Sequence, residues 1–303
     1  MPELPEVETI ARGLANRITG DRIESVWLGQ KPEPLKSPAK EIAATLEHSR
    51  IAAVHRVGKH IVFELEANGN VARAPSTATT SSNSKRVARV PAPAKGNHVL
   101  QIPPKSQWIV HLGMTGSLRI CEAQDEVSKH THAILSLASG KELRFVDPRR
   151  FGRLSVARSG DFEAGGVEPL EVELDRFTTL FRGRNTAIKS ALLNQKLLRG
   201  VGNIYADESL FRAGIRPRRR GTTISHEQLR RLFLAVKEVL REAIALGGSS
   251  VSDYVDADGE EGYFQLEHRV YGREGEACLV CKTAIKRVVI AGRSSHYCPK
   301  CQK

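Results

Sequence analysis

Four cysteines constrain this chain more than any other feature. Cys278 and Cys281 form one C-x-x-C pair, Cys298 and Cys301 a second, and sixteen residues separate the pairs near the end of a 303-residue sequence. That spacing suits four thiolates closing tetrahedrally on one zinc ion, whereas a disulfide framework needs an oxidising compartment. With every coordination position taken by protein, the expected metal is structural. Val288, Val289 and Ile290 between the pairs read as part of a β-hairpin that also carries Lys286, Arg287 and Arg293. From spacing alone, Arg293 is equally a solvated charge or a fixed guanidinium for phosphate. Cys121 falls outside the pattern and reads as an unpaired structural thiol.

Lys plus Arg total 46 against 34 Asp plus Glu, a net charge of +12 that points to a polyanionic partner. No stretch reaches the roughly 18 apolar residues of a membrane span, and Glu3, Glu6 and Glu8 exclude a basic-then-apolar leader. The chain is therefore expected to be neither an integral membrane protein nor a secreted one, and to work as a monomer in a reducing compartment.

Val7, Ile10, Leu14 and Ile18 recur at helical spacing, which predicts an amphipathic helix over 3–18 with acid in its first turn. Val57, Ile61, Phe63 and Leu65 are strand-like but broken by Gly58-Lys59, predicting two strands with Lys59 on the turn between them. Further β-type segments near 108–111, 117–121, 132–137 and 142–146 make the N-terminal half mainly β. Residues 68–107 interrupt this pattern with small and polar residues, and there is no acid between Glu66 and Glu122, so they read as a basic, disordered insertion. Gly160, Gly165, Gly166 and Pro169 mark a domain boundary. Beyond it, helices are predicted over 186–198 and 203–212, separated by Gly200-Val201-Gly202. Ser225 and Gln228 form a capping box that opens a long helix with the stripe Leu229, Leu232, Val236, Leu240 and Ile244. The expected fold class is α+β and multidomain, divided at 1–160, 161–262 and 263–303.

Five segments, in order, resemble the formamidopyrimidine-DNA glycosylase family over nearly the whole chain. They are Met1-Pro2-Glu3-Leu4-Pro5-Glu6-Val7-Glu8-Thr9, His111-Leu112-Gly113-Met114-Thr115-Gly116, Asp147-Pro148-Arg149-Arg150-Phe151-Gly152, Gly200-Val201-Gly202-Asn203-Ile204-Tyr205-Ala206 and Gly292-Arg293-Ser294. The resemblance implies an N-terminal catalytic β-sandwich with flanking helices, a helix-two-turn-helix domain and a C-terminal β-hairpin zinc finger. It also implies a bifunctional enzyme of base excision repair that excises oxidised purines from damaged double-stranded DNA and cleaves the strand by β,δ-elimination. Leu4-Pro5-Glu6-Val7 and Gly262-Tyr263-Phe264 resemble the purine-acting branch rather than the endonuclease VIII group. A bacterial, cytoplasmic enzyme associated with the nucleoid follows. A non-catalytic, zinc-dependent DNA-binding protein would explain the charge and the cysteines, but not Pro2 followed by Glu3. The 68–107 insertion departs from the family pattern, and the motifs resume intact after it.

Removal of Met1 ahead of the small Pro2 is expected to leave a secondary amine. An α-amino group has a pKa near ~8 against ~10.4 for lysine, so far more of it is unprotonated at neutral pH. Attack on the sugar gives an iminium that is cationic without taking up a proton and drives elimination. Glu3 is placed to act as general acid and then base, with Glu6 one turn on as its support. Lys59 resembles the family lysine that contacts phosphate beside the lesion and assists proton transfer. A target base has to be flipped from the stack, and Met114, Arg149 and Phe151 resemble the family's void-filling trio. Asn203 is equally an ordinary helix cap or a phosphate ligand from spacing alone. Lys189, His111, Arg150 and Arg293 complete the expected backbone-binding set, with Arg216-Pro217-Arg218-Arg219-Arg220 adding non-specific attraction.

Overall fold

The computed structural model describes residues 2–67, 105–250 and 254–303. Its first helix, α1 (Leu4–Ile18), starts on a capping box in which the Glu6 carboxylate accepts the Glu3 backbone N–H at 2.7 Å. Next come β1 (Ile23–Leu28), α2 (Ala39–Leu46), β2 (Arg50–Val57), β3 (His60–Glu66), β4 (Lys105–His111), β5 (Ser117–Glu122), β6 (Thr131–Leu137), β7 (Lys141–Val146) and β8 (Arg153–Arg158). These strands make two antiparallel four-stranded sheets, ordered β1-β6-β7-β5 and β2-β3-β4-β8. Ile51, Ile61, Phe63, Trp108 and Val110 of one sheet share a core with Leu118, Leu135, Leu143 and Phe145 of the other, which makes the pair a sandwich. Phe63 and Trp108 face each other across β3 and β4 with rings 4.7 Å apart.

The second half is helical: α3 (Leu174–Phe181), α4 (Ile188–Leu192), α5 (Asn203–Ala213) and α6 (His226–Ala245). The expected capping box opens α6, with the Ser225 hydroxyl accepting the Gln228 N–H at 3.3 Å and Gln228 returning the bond at 3.0 Å. Phe177, Phe181, Tyr205, Leu232 and Val236 form the centre of this second core. A hairpin of β9 (Lys286–Ile290) and β10 (Arg293–Tyr297) stands between the cysteine pairs.

α1 belongs to both halves. Leu4 is buried in the helical core, while Val7, Ile10, Leu14 and Ile18 are buried in the sandwich. The chain's first residues are thereby fixed at the seam between the two.

Two expectations are corrected. The helix expected over 186–198 is only the short α4, because the chain turns at Asn194, whose side-chain oxygen accepts the Lys196 N–H at 3.0 Å. The C-terminal edge of the expected insertion is also displaced: residues 105–107 are part of β4, and Lys105 pairs with Glu66 across the ladder. The rest of that segment, 68–104, lies outside the described residues.

Candidate active site

Pro2 and Glu3 are buried where α1 meets the segment 200–204. The Leu4 N–H donates to the Gly200 carbonyl at 3.0 Å, and the Ile204 N–H approaches a Glu3 carboxylate oxygen, Oε1, at 3.4 Å. Gly202 is required here, since a Cβ would lie 2.1 Å from the Glu3 carboxyl carbon. Glu3 Oε2 is buried without a partner. Burial raises the Glu3 pKa to about 7, against the opposing pull of the Lys59 ammonium. Glu6 supports this arrangement from below. Its carboxylate accepts the Glu3 N–H, the Ser249 N–H at 2.8 Å and the Tyr205 hydroxyl, and burial still pushes its pKa up.

Lys59 occupies the β2–β3 turn as expected, but it is buried, and desolvation lowers its pKa. The turn is held by Arg56, which donates to the Gly58 carbonyl at 3.1 Å, to Glu8 of α1 at 2.7 Å and to Glu168 at 2.8 Å. Arg199 reaches the same Glu168 at 3.2 Å. This network ties the Lys59 turn to α1 and to the residues leading into Gly200.

The opposite wall is α5 and the β9–β10 hairpin. Arg293 follows the hairpin turn, where Ala291 and Gly292 both take positive φ. Asn203 donates to the Ser294 hydroxyl at 3.3 Å, and its own carbonyl oxygen is buried without a partner. Lys189 corrects the sequence reading. Its ammonium is not presented to solvent but is fully buried, 2.7 Å from Asp207 and donating to the Ser294 carbonyl at 2.6 Å. Asp207 also accepts the His296 N–H at 2.9 Å, so the pair fastens the hairpin to α4 and α5. Arg216 is exposed but tied to the end of the zinc finger, donating to the Gln302 and Pro299 carbonyls at 2.9 and 2.8 Å.

The sulfur atoms of Cys278, Cys281, Cys298 and Cys301 all lie within 4.8 Å of one another. Sulfurs ~2.3 Å from a tetrahedral zinc are about 3.8 Å apart, and the Cys278–Cys301 and Cys281–Cys298 pairs stand at 3.9 and 3.4 Å. The thiol cage therefore fits one structural zinc, which would hold the hairpin that carries Arg293.

Met114, Arg149 and Phe151 project from two adjacent loops, all exposed, with the Arg149 guanidinium 5.0 Å over the Phe151 ring. Arg150 is exposed beside them and pairs with Glu33 at 2.6 Å. His111 ends β4. Burial, with help from His60 and nearby cations, lowers its pKa to about 4, and its Nδ1 accepts the Gly113 N–H at 3.1 Å. The neutral ring thus carries its proton on Nε2.

A cleft of about 890 Å³ gathers Glu3, Lys59, Met114, Asn203 and Arg293 on one lining. Arg149, Arg150, Phe151 and His111 are placed outside that lining, and Lys189 is buried behind it.

Comparisons with known proteins give the chain's family. Residues 1–154 match the model of the formamidopyrimidine-DNA glycosylase N-terminal domain, 166–255 its H2TH domain, and 275–303 a zinc finger found in FPG and IleRS. A formamidopyrimidine-DNA glycosylase of Solibacter usitatus is 41% identical over the full length of both chains. The chain belongs to the formamidopyrimidine-DNA glycosylase family. A Listeria monocytogenes relative of the same name is 35% identical, again over both full lengths. Among solved structures, the MutM (Fpg) protein of Thermus thermophilus superposes with a TM-score of 0.78 at 37% identity, covering 99% of this chain and 98% of that one. The Lactococcus lactis Fpg in complex with abasic-site DNA gives 0.81 at 29% identity, covering 99% of each.

Arg287 and Tyr271, neither of which the sequence assigns to the site, also line the cleft with Arg293. Arg287 was visible as a basic residue in the hairpin. Tyr271 carried no local signal, because its place beside Asn203 depends on Glu208, a buried carboxylate that accepts the N–H groups of Arg269, Val270 and Tyr271 at 2.8–3.0 Å.

Proposed function

We propose that the chain is a bifunctional DNA glycosylase and AP lyase of base excision repair, excising 8-oxoguanine and formamidopyrimidines from duplex DNA and cleaving the strand by β,δ-elimination. The observation that carries this reading is the buried Glu3 carboxyl beside Pro2, with a free oxygen, in a cleft that also presents Lys59 and Arg293. The Pro2 amine attacks the sugar's anomeric carbon and the bond to the base breaks, its electron pair leaving with the base. Glu3 is held near neutral pKa, so it can donate a proton to the opening sugar ring and later take one back. The resulting iminium acidifies the neighbouring carbon, and the 3′ and then the 5′ phosphate leave. Lys59, with its depressed pKa, exchanges protons beside these steps.

Arg293, Asn203 and the Nε2–H of His111 hold the phosphates flanking the lesion. Arg150 joins them by releasing Glu33, a surface ion pair of little strength. Met114, Arg149 and Phe151 fill the hole left by the flipped nucleotide. Catalysis is assigned to 1–160, DNA docking to the helix-two-turn-helix part at 161–262 and to the zinc finger at 263–303. No helix among the described residues is long and apolar enough to cross a membrane. A chromosomal substrate would be met in the bacterial cytoplasm, at the nucleoid.

The test is borohydride trapping with duplexes carrying either 8-oxoguanine or an oxidised pyrimidine. The second arm matters because a Lactococcus lactis relative has been solved with DNA containing an oxidised pyrimidine. A covalent adduct at Pro2, with nicking faster on the purine lesion, is the expected result. Trapping that survives a blocked N-terminus would move the nucleophile elsewhere, and preference for the pyrimidine lesion would reassign the substrate.

A further inference from the structure

We propose that Asp147 is a positioning residue that locks the two base-displacing loops into one rigid wedge; this rests on the void-filling reading of Met114, Arg149 and Phe151. Asp147 is completely buried, so it touches no substrate. One carboxylate oxygen, Oδ1, accepts the Thr115 hydroxyl at 2.7 Å and the Arg149 N–H at 3.2 Å, and the other, Oδ2, accepts the Gly152 N–H at 2.7 Å. A single carboxylate therefore joins the neighbour of Met114 to both ends of the Arg149–Phe151 segment. Its backbone is pinned in turn, the N–H donating to the His130 carbonyl at 3.0 Å and the carbonyl meeting His132 Nε2 at 2.9 Å.

The two loops also touch backbone to backbone. Gly113 has φ +69°, and a Cβ there would lie 2.6 Å from the Gly152 nitrogen. The outcome is a locked backbone with exposed side-chain tips. Inserting those tips into a base stack orders little that is not already ordered, which is how preorganisation favours binding. Loops freed from Asp147 would have to be ordered at the moment the base is displaced, so the defect belongs to extrusion rather than to chemistry at Pro2.

Single-turnover cleavage by Asp147→Asn should be compared on two duplexes, one with a paired 8-oxoguanine and one with a preformed abasic site, where extrusion is easier. The paired lesion should be cleaved on the order of tenfold more slowly, the size of a lost hydrogen bond to a charged group, and the abasic site within about twofold of the parent. Thr115→Val, which removes only the hydroxyl bond, should show a smaller split in the same direction. It carries the test by itself if Asp147→Asn does not fold. Equal losses on both substrates in these variants would overturn the positioning role. Phe151→Ala is the control for the underlying reading, and the absence of a split in that variant would overturn the wedge itself.

Discussion

Glu3→Gln should make the protein more stable and less active, with the gain in stability confined to higher pH. The side chain is buried at the α1–α5 seam, and its pKa rises from an ordinary 4.5 to about 7 because burial disfavours the charged form. In the unfolded chain it ionises near the ordinary value. Between those two pH values the native state holds a proton that the unfolded state has lost, so stability falls as pH rises through the window. At about 1.4 kcal/mol per unit, the full separation is worth about 3 kcal/mol above pH 8, and under about 1 kcal/mol at pH 5. Glutamine keeps the shape and never ionises. The melting temperature of Glu3→Gln relative to the parent should therefore climb by roughly 4 °C between pH 5 and pH 8.5. Lys59→Met removes the cation that favours the ionised carboxylate and should push the upper end of the window to higher pH, leaving its lower end, set by the unfolded chain, in place. Thermal unfolding across that range measures both, beside a glycosylase assay in which Glu3→Gln should lose roughly 10²-fold or more. A melting-temperature difference that is constant with pH would refute the argument that burial keeps this carboxyl protonated.

Gly202→Ala introduces a Cβ within 2.1 Å of the Glu3 carboxyl carbon at a backbone conformation alanine tolerates, so it should displace that carboxyl by about 1 Å and lower single-turnover excision by ~10²-fold. Near-parental rates would show that Glu3 has room to move. Asp207→Asn leaves the buried Lys189 ammonium without its counter-charge and should cost about 3–5 kcal/mol in thermal or denaturant unfolding, with zinc retained. Cys298→Ser should release zinc, worth ~10–16 kcal/mol to such a module, and abolish DNA binding in a mobility-shift assay while the sandwich keeps its circular dichroism. Full binding by the metal-free protein would refute a structural role for the site.

Features governed by neighbours in sequence were legible without coordinates. The Val7–Ile18 stripe, the Ser225–Gln228 box and the cysteine tetrad each need only a few residues to specify themselves, and all three are in place. The elements that escaped notice are those with weak local pattern. In β8 only Leu154 is fully buried, and β1 leaves Trp27 half exposed, so neither shows the apolar alternation of a core strand. In the other direction, the apolar run through Leu197-Leu198 suggested a helix that the Asn194 turn ends. Lys189 illustrates the limit for charges. A lysine in sequence looks the same whether it meets solvent or, as here, an aspartate eighteen positions later and a carbonyl more than a hundred residues away.

Buried carboxylates connect these long-range contacts, and their placement follows from the substrate. An acid on the outer face of a protein that grips a polyanion repels it, whereas an acid inside can accept several backbone N–H groups at once. Glu6 joins α1 to Ser249 and Tyr205, Asp147 joins the two probing loops, and Glu208 holds three consecutive N–H groups ahead of the zinc finger. Glu168 gathers Arg56 and Arg199. Removing any of these acids strands buried donors or cations, at about 1–3 kcal/mol for each unmet donor. Arg149, Arg150 and Arg293, by contrast, are exposed. The two groups act through different physics. Substituting an exposed arginine removes a phosphate contact and flattens the slope of log affinity against log salt by about one per charge. Substituting a buried acid changes the shape of the cleft and leaves that slope where it was, so a salt titration separates residues that bind DNA from residues that hold the binding surface in place.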